Sequence, residues 1–90
     1  MTDLVIGKYT FHKIDEEYYG RTLNTMPSST LVFRYFREYN VLDLLLWDYS
    51  EGEKKEKSIA LGFSFDNEEH VKKLDELYDK RIKRMRKQII

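Results

Sequence analysis

The chain has 90 residues, of which 41% are hydrophobic and 36% charged, with no cysteine and a formal net charge of zero. A chain of this length buries roughly 60% of its unfolded surface, enough for one core, so we expect a single domain over residues 1–90. The composition excludes disulfides and thiolate chemistry, argues against a bulk cationic attraction to nucleic acid, and offers no run of about 18 apolar residues that could span a membrane.

The first third of the chain predicts one strand and a long connection. Residues 4–14 are rich in β-branched and aromatic side chains, and Val5, Tyr9 and Phe11 share one parity, which predicts a strand. Residues 15–29 contain Gly20 and the run Met26-Pro27-Ser28-Ser29, which are turn-forming residues. We therefore expect a partly ordered connection there, in which residues 18–23 can form a short strand.

The middle of the chain predicts three further strands. In residues 30–39, Leu31, Phe33 and Tyr35 alternate with Arg34 and Glu38, and Val32 and Phe36 on the polar side suggest that both faces are partly covered. The same window also fits helical spacing. Strand is favoured over helix because Val, Phe and Tyr dominate the window. Residues 41–49 and 58–65 then predict an antiparallel hairpin across the charged loop at residues 50–57.

The last quarter predicts a helix over residues 66–88. Asp66 can cap its first turn and Glu69 can complete a capping box. One side carries apolar residues at three- and four-residue steps, namely Val71, Leu74, Leu77, Tyr78, Ile82, Met85 and Ile89. A helix of roughly 22 residues is about 33 Å long, which exceeds a six-residue strand of about 20 Å. We therefore expect its end to overhang the sheet and to offer Ile82, Met85 and Ile89 to a partner or a second copy.

These elements predict an α+β fold. The strands form an antiparallel meander of about four strands, and the long C-terminal helix packs on one face of that sheet. The second face of the sheet, a sheet edge and the helix end are then the places where function is expected.

Catalytic and metal-binding patterns are scarce in this sequence. His12 and His70 lack a second histidine at metal-ligand spacing, and the four glycines are too scattered for a phosphate-binding loop. We therefore expect no enzyme, no metal and no cofactor. Aromatic residues interleaved with cations instead resemble the surfaces that bind single-stranded nucleic acid. The candidate nucleic-acid-binding residues are Lys8, Arg34, Arg37, Trp47, Lys57, Arg84 and Lys87. Arg34 and Arg37 can alternatively pair across strands with Asp43 or Asp48.

Residues 41–88 resemble the PC4 family of single-stranded-DNA-binding proteins. The resemblance rests on the segment Leu46-Trp47-Asp48-Tyr49-Ser50-Glu51-Gly52-Glu53 and on Lys57-Ser58-Ile59-Ala60-Leu61, which form a charged hairpin leading into a C-terminal helix. It implies a dimer that pairs through its helices and binds single strands on curved sheets, with Trp47 and Lys57 as the residues carried over. The strand and helix entry at residues 62–69 is also similar to that of pleckstrin-homology-like domains. Those domains have seven strands, for which 90 residues leave too little chain.

Two functions follow as hypotheses. The first is a cytoplasmic, non-enzymatic domain that binds single-stranded nucleic acid through the aromatic and basic sheet face and the basic helix end. The second is a protein-binding adaptor or inhibitor, for example of viral or mobile-element origin, that acts through a sheet edge or the C-terminal helix. We expect no signal peptide, no membrane association and a possible homodimer through the helix.

Overall fold

The computed structural model describes residues 3–21 and 29–89, and side chains as far as Met85. The described chain forms an antiparallel sheet followed by one helix. Its elements are β1 (Leu4–Ile6), β2 (Tyr9–Lys13), β3 (Tyr18–Gly20), β4 (Ser29–Phe36), β5 (Val41–Asp48), β6 (Lys55–Ser64) and α1 (Glu68–Ile89). The sheet order is β1-β2-β3-β4-β5-β6, so each strand pairs with its neighbours in sequence. The fold is α+β as expected, with six strands instead of about four.

The predicted strand at residues 4–14 is a hairpin of two strands. Ile6 pairs with Tyr9 across a two-residue turn made by Gly7 and Lys8. Gly7 has a φ of +58°, and glycine at the first turn position is typical of a type II′ hairpin. The prediction of a single strand was wrong, because it placed Val5 on the same face as Tyr9 and Phe11 although the turn lies between them. Val5 is in fact 56% exposed.

The connection that follows β2 contains a strand of its own. β3 (Tyr18–Gly20) forms within the predicted short strand and pairs with both β2 and β4. Residues 22–28, which include the predicted turn at Met26-Pro27-Ser28, lie outside the described residues. The segment at residues 30–39, for which the sequence allowed both strand and helix, forms strand β4 as far as Phe36. Residues 37–40 form a turn, and Asn40 adopts a left-handed φ of +55° there.

The β5–β6 hairpin has the predicted antiparallel pairing, but β6 begins at Lys55, three residues before its predicted start. The pairing register shifts on both sides of Leu44. One shift adds Ile59 between Ser58 and Ala60, and both Ile59 and Ala60 pack on the core. The other shift contains Gly62, which has a φ of +73°. β-bulges of this kind bend a strand and increase its twist.

The helix begins two residues later than predicted because Asn67, and not Asp66, caps it. The Asn67 side-chain oxygen accepts hydrogen bonds from the backbone N–H groups of Glu69 (3.0 Å) and His70 (3.3 Å). The Asn67 carbonyl accepts the bond from the N–H of Val71. An N-cap side chain satisfies the N–H groups of the second and third helical residues, and Asn is among the preferred caps.

The core lies between one face of the sheet and α1. Leu74, Tyr78 and Ile82 are at most 2% exposed, and the predicted stripe residues Val71, Leu77 and Met85 pack beside them. α1 contacts β1 and β6, the two outermost strands, so the sheet curves around the helix.

An aromatic cluster fills the centre of this core. The Phe11 ring meets the rings of Phe33 and Tyr78 edge to face, with centroids 4.8 and 5.0 Å apart. Each such pair contributes about 0.5–1.5 kcal/mol beyond the area that it buries. In the part of the chain that is described, no helix has the length and hydrophobicity to cross a bilayer.

Candidate functional site

Trp47 lies on the sheet face that points away from α1, where its own chain covers it. It forms a small cluster with Val32 and Leu45, and its ring centroid is 5.1 Å from that of Tyr18. Its indole N–H donates a hydrogen bond to Glu56 (3.0 Å). The ammonium of Lys54 lies 4.2 Å from the ring centroid. Trp47 is 7% exposed, so little of its ring is available to a stacked base.

Arg34 lies on the same face and is paired with Asp43. Its guanidinium donates a 2.9 Å hydrogen bond to the Asp43 carboxylate, whose other oxygen accepts the N–H of Gly62 at 2.8 Å. The two residues are direct cross-strand neighbours, as the sequence suggested. The hydrogen bond to Asp43 is the largest cause that raises the pKa of Arg34. Asp43 is 5% exposed whereas Arg34 is half-buried, and the charge of Arg34 is already neutralised by a partner within its own chain.

Arg37 does not lie on the strand with Arg34, because it follows β4 in the turn at residues 37–40. Its side chain is exposed at one end of the sheet, beside a cleft of about 510 Å³. The cleft is lined by cations, acids and aromatic rings: Lys13, Glu16, Glu17, Tyr35, Phe36, Arg37, Glu38 and Tyr39. Three acids against two cations give this cleft no excess of positive charge, so it does not favour phosphate.

Lys8 belongs to a polar cluster where the β1–β2 turn meets α1. Its ammonium lies 3.1 Å from Asp79, which also pairs with Lys83 at 2.9 Å. The Tyr9 hydroxyl donates a 2.5 Å hydrogen bond to the same carboxylate. This bond, followed by the contacts with Lys83 and Lys8, holds the pKa of Asp79 well below its usual range, and it raises the pKa of Tyr9. These contacts join the β1–β2 hairpin to α1.

Three cations of α1 line a groove between β6 and α1, which we call the β6–α1 groove. It has a volume of about 200 Å³ and is lined by Ile59, Leu77, Lys80, Arg81 and Arg84. The four helix residues follow one another at i, i+3, i+4 and i+7, so they share one side of α1. Among the described residues, none of the three cations forms an ion pair. Lys80 and Arg84 are exposed and Arg81 is half-buried.

Lys57 extends this positive surface along β6. It pairs in register with Leu46, whose side chain packs on the core, so Lys57 is on the sheet face that carries α1. It is exposed and, within the described chain, has no ion-pair partner. Of the predicted nucleic-acid-binding residues, Lys57 and Arg84 therefore share one surface, whereas Lys8, Arg34, Arg37 and Trp47 lie elsewhere.

The three residues predicted to contact a partner, Ile82, Met85 and Ile89, also differ in where the structure places them. Ile82 is 2% exposed and belongs to the chain's own core, which leaves no surface for a partner. Ile82 is therefore not part of the predicted overhang. Met85 is half-buried against the same core. The side chains of Lys87 and Ile89 lie outside the described ones.

Lys80 and Arg81 were not predicted from the sequence as members of a site. Residues 80–87 contain six basic residues and no acid, but without the position of β6 such a run is typical of a solvated helix end. The spacing from Leu77 to Arg84 is the signal that could have identified them.

Comparison of the chain with protein-family models, curated proteins and solved structures gives no match. The resemblance of residues 41–88 to the PC4 family therefore stays a prediction. In the described part of the chain, no three His, Cys, Asp or Glu side chains are grouped as a metal site requires.

Proposed function

We propose that this chain is a non-enzymatic binding domain that recognises a short acidic segment of a protein partner through the β6–α1 groove. The observation that carries the proposal is the grouping of Lys80, Arg81 and Arg84, without ion pairs in the described chain, around an apolar floor of Ile59 and Leu77. Cations around an apolar floor complement a segment in which acidic and apolar side chains are mixed.

The size of the groove indicates a short segment bound with modest affinity. A volume of about 200 Å³ accepts a few side chains and not the face of a folded domain. Exposed ion pairs contribute about 0.2–1 kcal/mol each, and the remainder must come from the apolar floor. We therefore expect dissociation constants in the micromolar range, on the order of 8 kcal/mol in total. A cytoplasmic location is part of this proposal because a chain without cysteine needs no oxidising compartment.

Binding of single-stranded nucleic acid is the second candidate, because the same three cations would attract phosphates. It ranks lower because such sites stack bases on aromatic rings, and among the described side chains no ring lines the groove. Trp47 and Arg34, the residues expected to supply stacking and charge on the sheet face, make intramolecular contacts instead.

The proposal is tested by selecting ligands from a library of random 16-residue peptides displayed on phage, with the immobilised chain as bait. The matched baits are K80E/R84E, which reverses the groove charge, and K72E/K73E, which makes the same charge change at two exposed helix positions outside the groove. Circular dichroism of each bait verifies that the helix is retained. We expect the original chain and K72E/K73E to enrich peptides rich in Asp and Glu with interspersed apolar residues.

The selected peptide is then synthesised with a fluorescent label and compared with a labelled 20-residue oligo(dT) by anisotropy at two salt concentrations. K80E/R84E should weaken peptide binding by at least about tenfold, or 1.4 kcal/mol. K72E/K73E should change it by less than about threefold. Enrichment of peptides without acidic residues, or equal binding by both variants, would contradict the proposal. Tighter binding of oligo(dT) with a steep salt dependence would favour the nucleic-acid function.

A further inference from the structure

The strand beside the groove has an unpaired outer edge. β6 is the outermost strand of the sheet and pairs with β5 alone. It is the longest strand described, with ten residues, and its first four, residues 55–58, are all exposed. Near its C-terminal end the Ser64 N–H donates a 2.9 Å hydrogen bond to His70 on α1. In the described part of the chain, no other segment forms hydrogen bonds with the outer side of residues 55–61. A row of N–H and C=O groups is therefore available to a further strand.

The two faces of this edge carry different charges. Lys55 and Lys57 lie on the α1 face, because they alternate along β6 and Lys57 pairs with Leu46. Glu56 lies on the opposite face, where it accepts the hydrogen bond of Trp47. Lys55 is paired with Glu51, whereas Lys57 has no ion pair within the described residues. The face of the edge that adjoins the β6–α1 groove is thus positive.

This pattern selects among possible added strands. Like charges directly opposite each other destabilise a strand pair and opposite charges stabilise it. A strand with acidic side chains at alternate positions would place all of them on the face of Lys57, Arg81 and Arg84. Alternate side chains are about 6.6–6.8 Å apart, so a short segment can reach both the edge and the groove.

We infer that the acidic segment binds as an added β-strand on the outer edge of β6, with its acidic residues at alternate positions facing Lys57 and the groove. The inference rests on the proposed function, since it specifies how the same partner is held. Backbone hydrogen bonds to β6 supply a contact that is independent of side chains, and the cations select the acidic face.

The test uses the acidic peptide selected on this chain, synthesised in four forms. The first is unmodified, the second and third are N-methylated at alternate backbone positions in the two possible registers, and the fourth is a permutation of the same residues with the acidic ones at helical spacing. An added strand points every second N–H towards β6. One methylated register should therefore bind at least about tenfold more weakly, while the other stays within about threefold. The permuted peptide should also lose at least about tenfold.

A variant of the chain provides the matching test from the other side. K57E should weaken the unmodified peptide by about tenfold, while K72E, an exposed lysine outside the groove, should change binding by less than about threefold. If the unmodified peptide binds and depends on Lys80 and Arg84, but both methylated registers bind equally well, strand addition is overturned and the proposed function stands. If the unmodified peptide shows no dependence on Lys80 and Arg84, the proposed function fails, and this inference fails with it.

Discussion

Replacing Gly7 by alanine should separate the docking of the β1–β2 hairpin on α1 from ordinary turn strain. Gly7, Gly52 and Gly62 all have positive φ, at +58°, +86° and +73°. A Cβ added at Gly52 or Gly62 would meet no atom within 4 Å, whereas one added at Gly7 would overlap the carboxyl group of Asp75 on α1. The three glycines thus share the backbone strain, and Gly7 alone adds a collision with the helix.

The expected magnitudes follow from these two terms. A left-handed conformation costs a side-chain-bearing residue about 1–2 kcal/mol, partly offset by the lower entropy of the unfolded chain. Gly52→Ala and Gly62→Ala should therefore lose about 1 kcal/mol, equivalent to about 4–8 °C in Tm. Overpacking adds about 1–3 kcal/mol for Gly7→Ala, so its Tm should fall by about 12–24 °C for a total of about 3 kcal/mol.

The assay is thermal and urea unfolding followed by circular dichroism. Asp75→Ala added to Gly7→Ala should restore most of the difference, since one Asp75 oxygen is buried without a hydrogen-bond partner in the described structure. Equal losses for Gly7→Ala and Gly52→Ala would refute the docking of the hairpin against Asp75.

Three further predictions concern the buried ion pair, the Asp79 cluster and Trp47. Asp43→Ala should lower the free energy of unfolding in urea by about 2–4 kcal/mol, because it leaves the Arg34 guanidinium and the Gly62 N–H without their hydrogen-bond acceptor. A loss under about 0.5 kcal/mol would contradict the pairing. Because the folded pKa of Asp79 lies below its unfolded value, the stability that it contributes is complete above about pH 5 and is lost as the pH falls. Tyr9→Phe removes the largest cause of that shift, so the Tm of this variant should fall less steeply between about pH 5 and 2 than that of the original chain; identical slopes would contradict the assignment. Trp47 is the only tryptophan and lies on the face opposite α1, so saturation with the acidic peptide should leave its emission maximum unchanged, whereas a shift of the maximum would place the ligand against its ring.

The elements with strong local patterns could be predicted from the sequence. The spacing of Leu74, Tyr78 and Ile82 identifies the buried side of α1, and these three residues are the most buried of the helix. The β5–β6 hairpin also follows from composition and alternation. The N-cap was displaced by one residue because Asp66 and Asn67 are adjacent and both are good caps.

The division of residues 4–14 into two strands could not be predicted because it depends on turn geometry, and β3 was expected only as a short strand within residues 18–23. The turn between β1 and β2 is only two residues long. The left-handed φ of Gly7 is what distinguishes this hairpin from one continuous strand. β3 has only three residues and is defined by its pairing with the neighbouring strands β2 and β4. Short strands carry too little alternation to be recognised alone.

The candidate site was predicted only in part, because it arises from two elements that meet in space. Arg84 and Lys57 were singled out, but Ile59 becomes the floor of a groove only when a bulge in β6 directs it to α1. Trp47 shows the opposite error, since a ring typical of a stacking platform is covered by Tyr18 and Lys54.

The central claim is that the ligand occupies the β6–α1 groove and the β6 edge, and amide chemical-shift mapping of the ¹⁵N-labelled chain tests it most directly. On titration with the selected acidic peptide, the account predicts that the largest shifts fall in residues 55–61 and 77–84, and that the amide shifts of Tyr18 and Arg34 are small. Shifts centred instead on Tyr18, Trp47 and Arg34, or on the turn at residues 37–40, would contradict it.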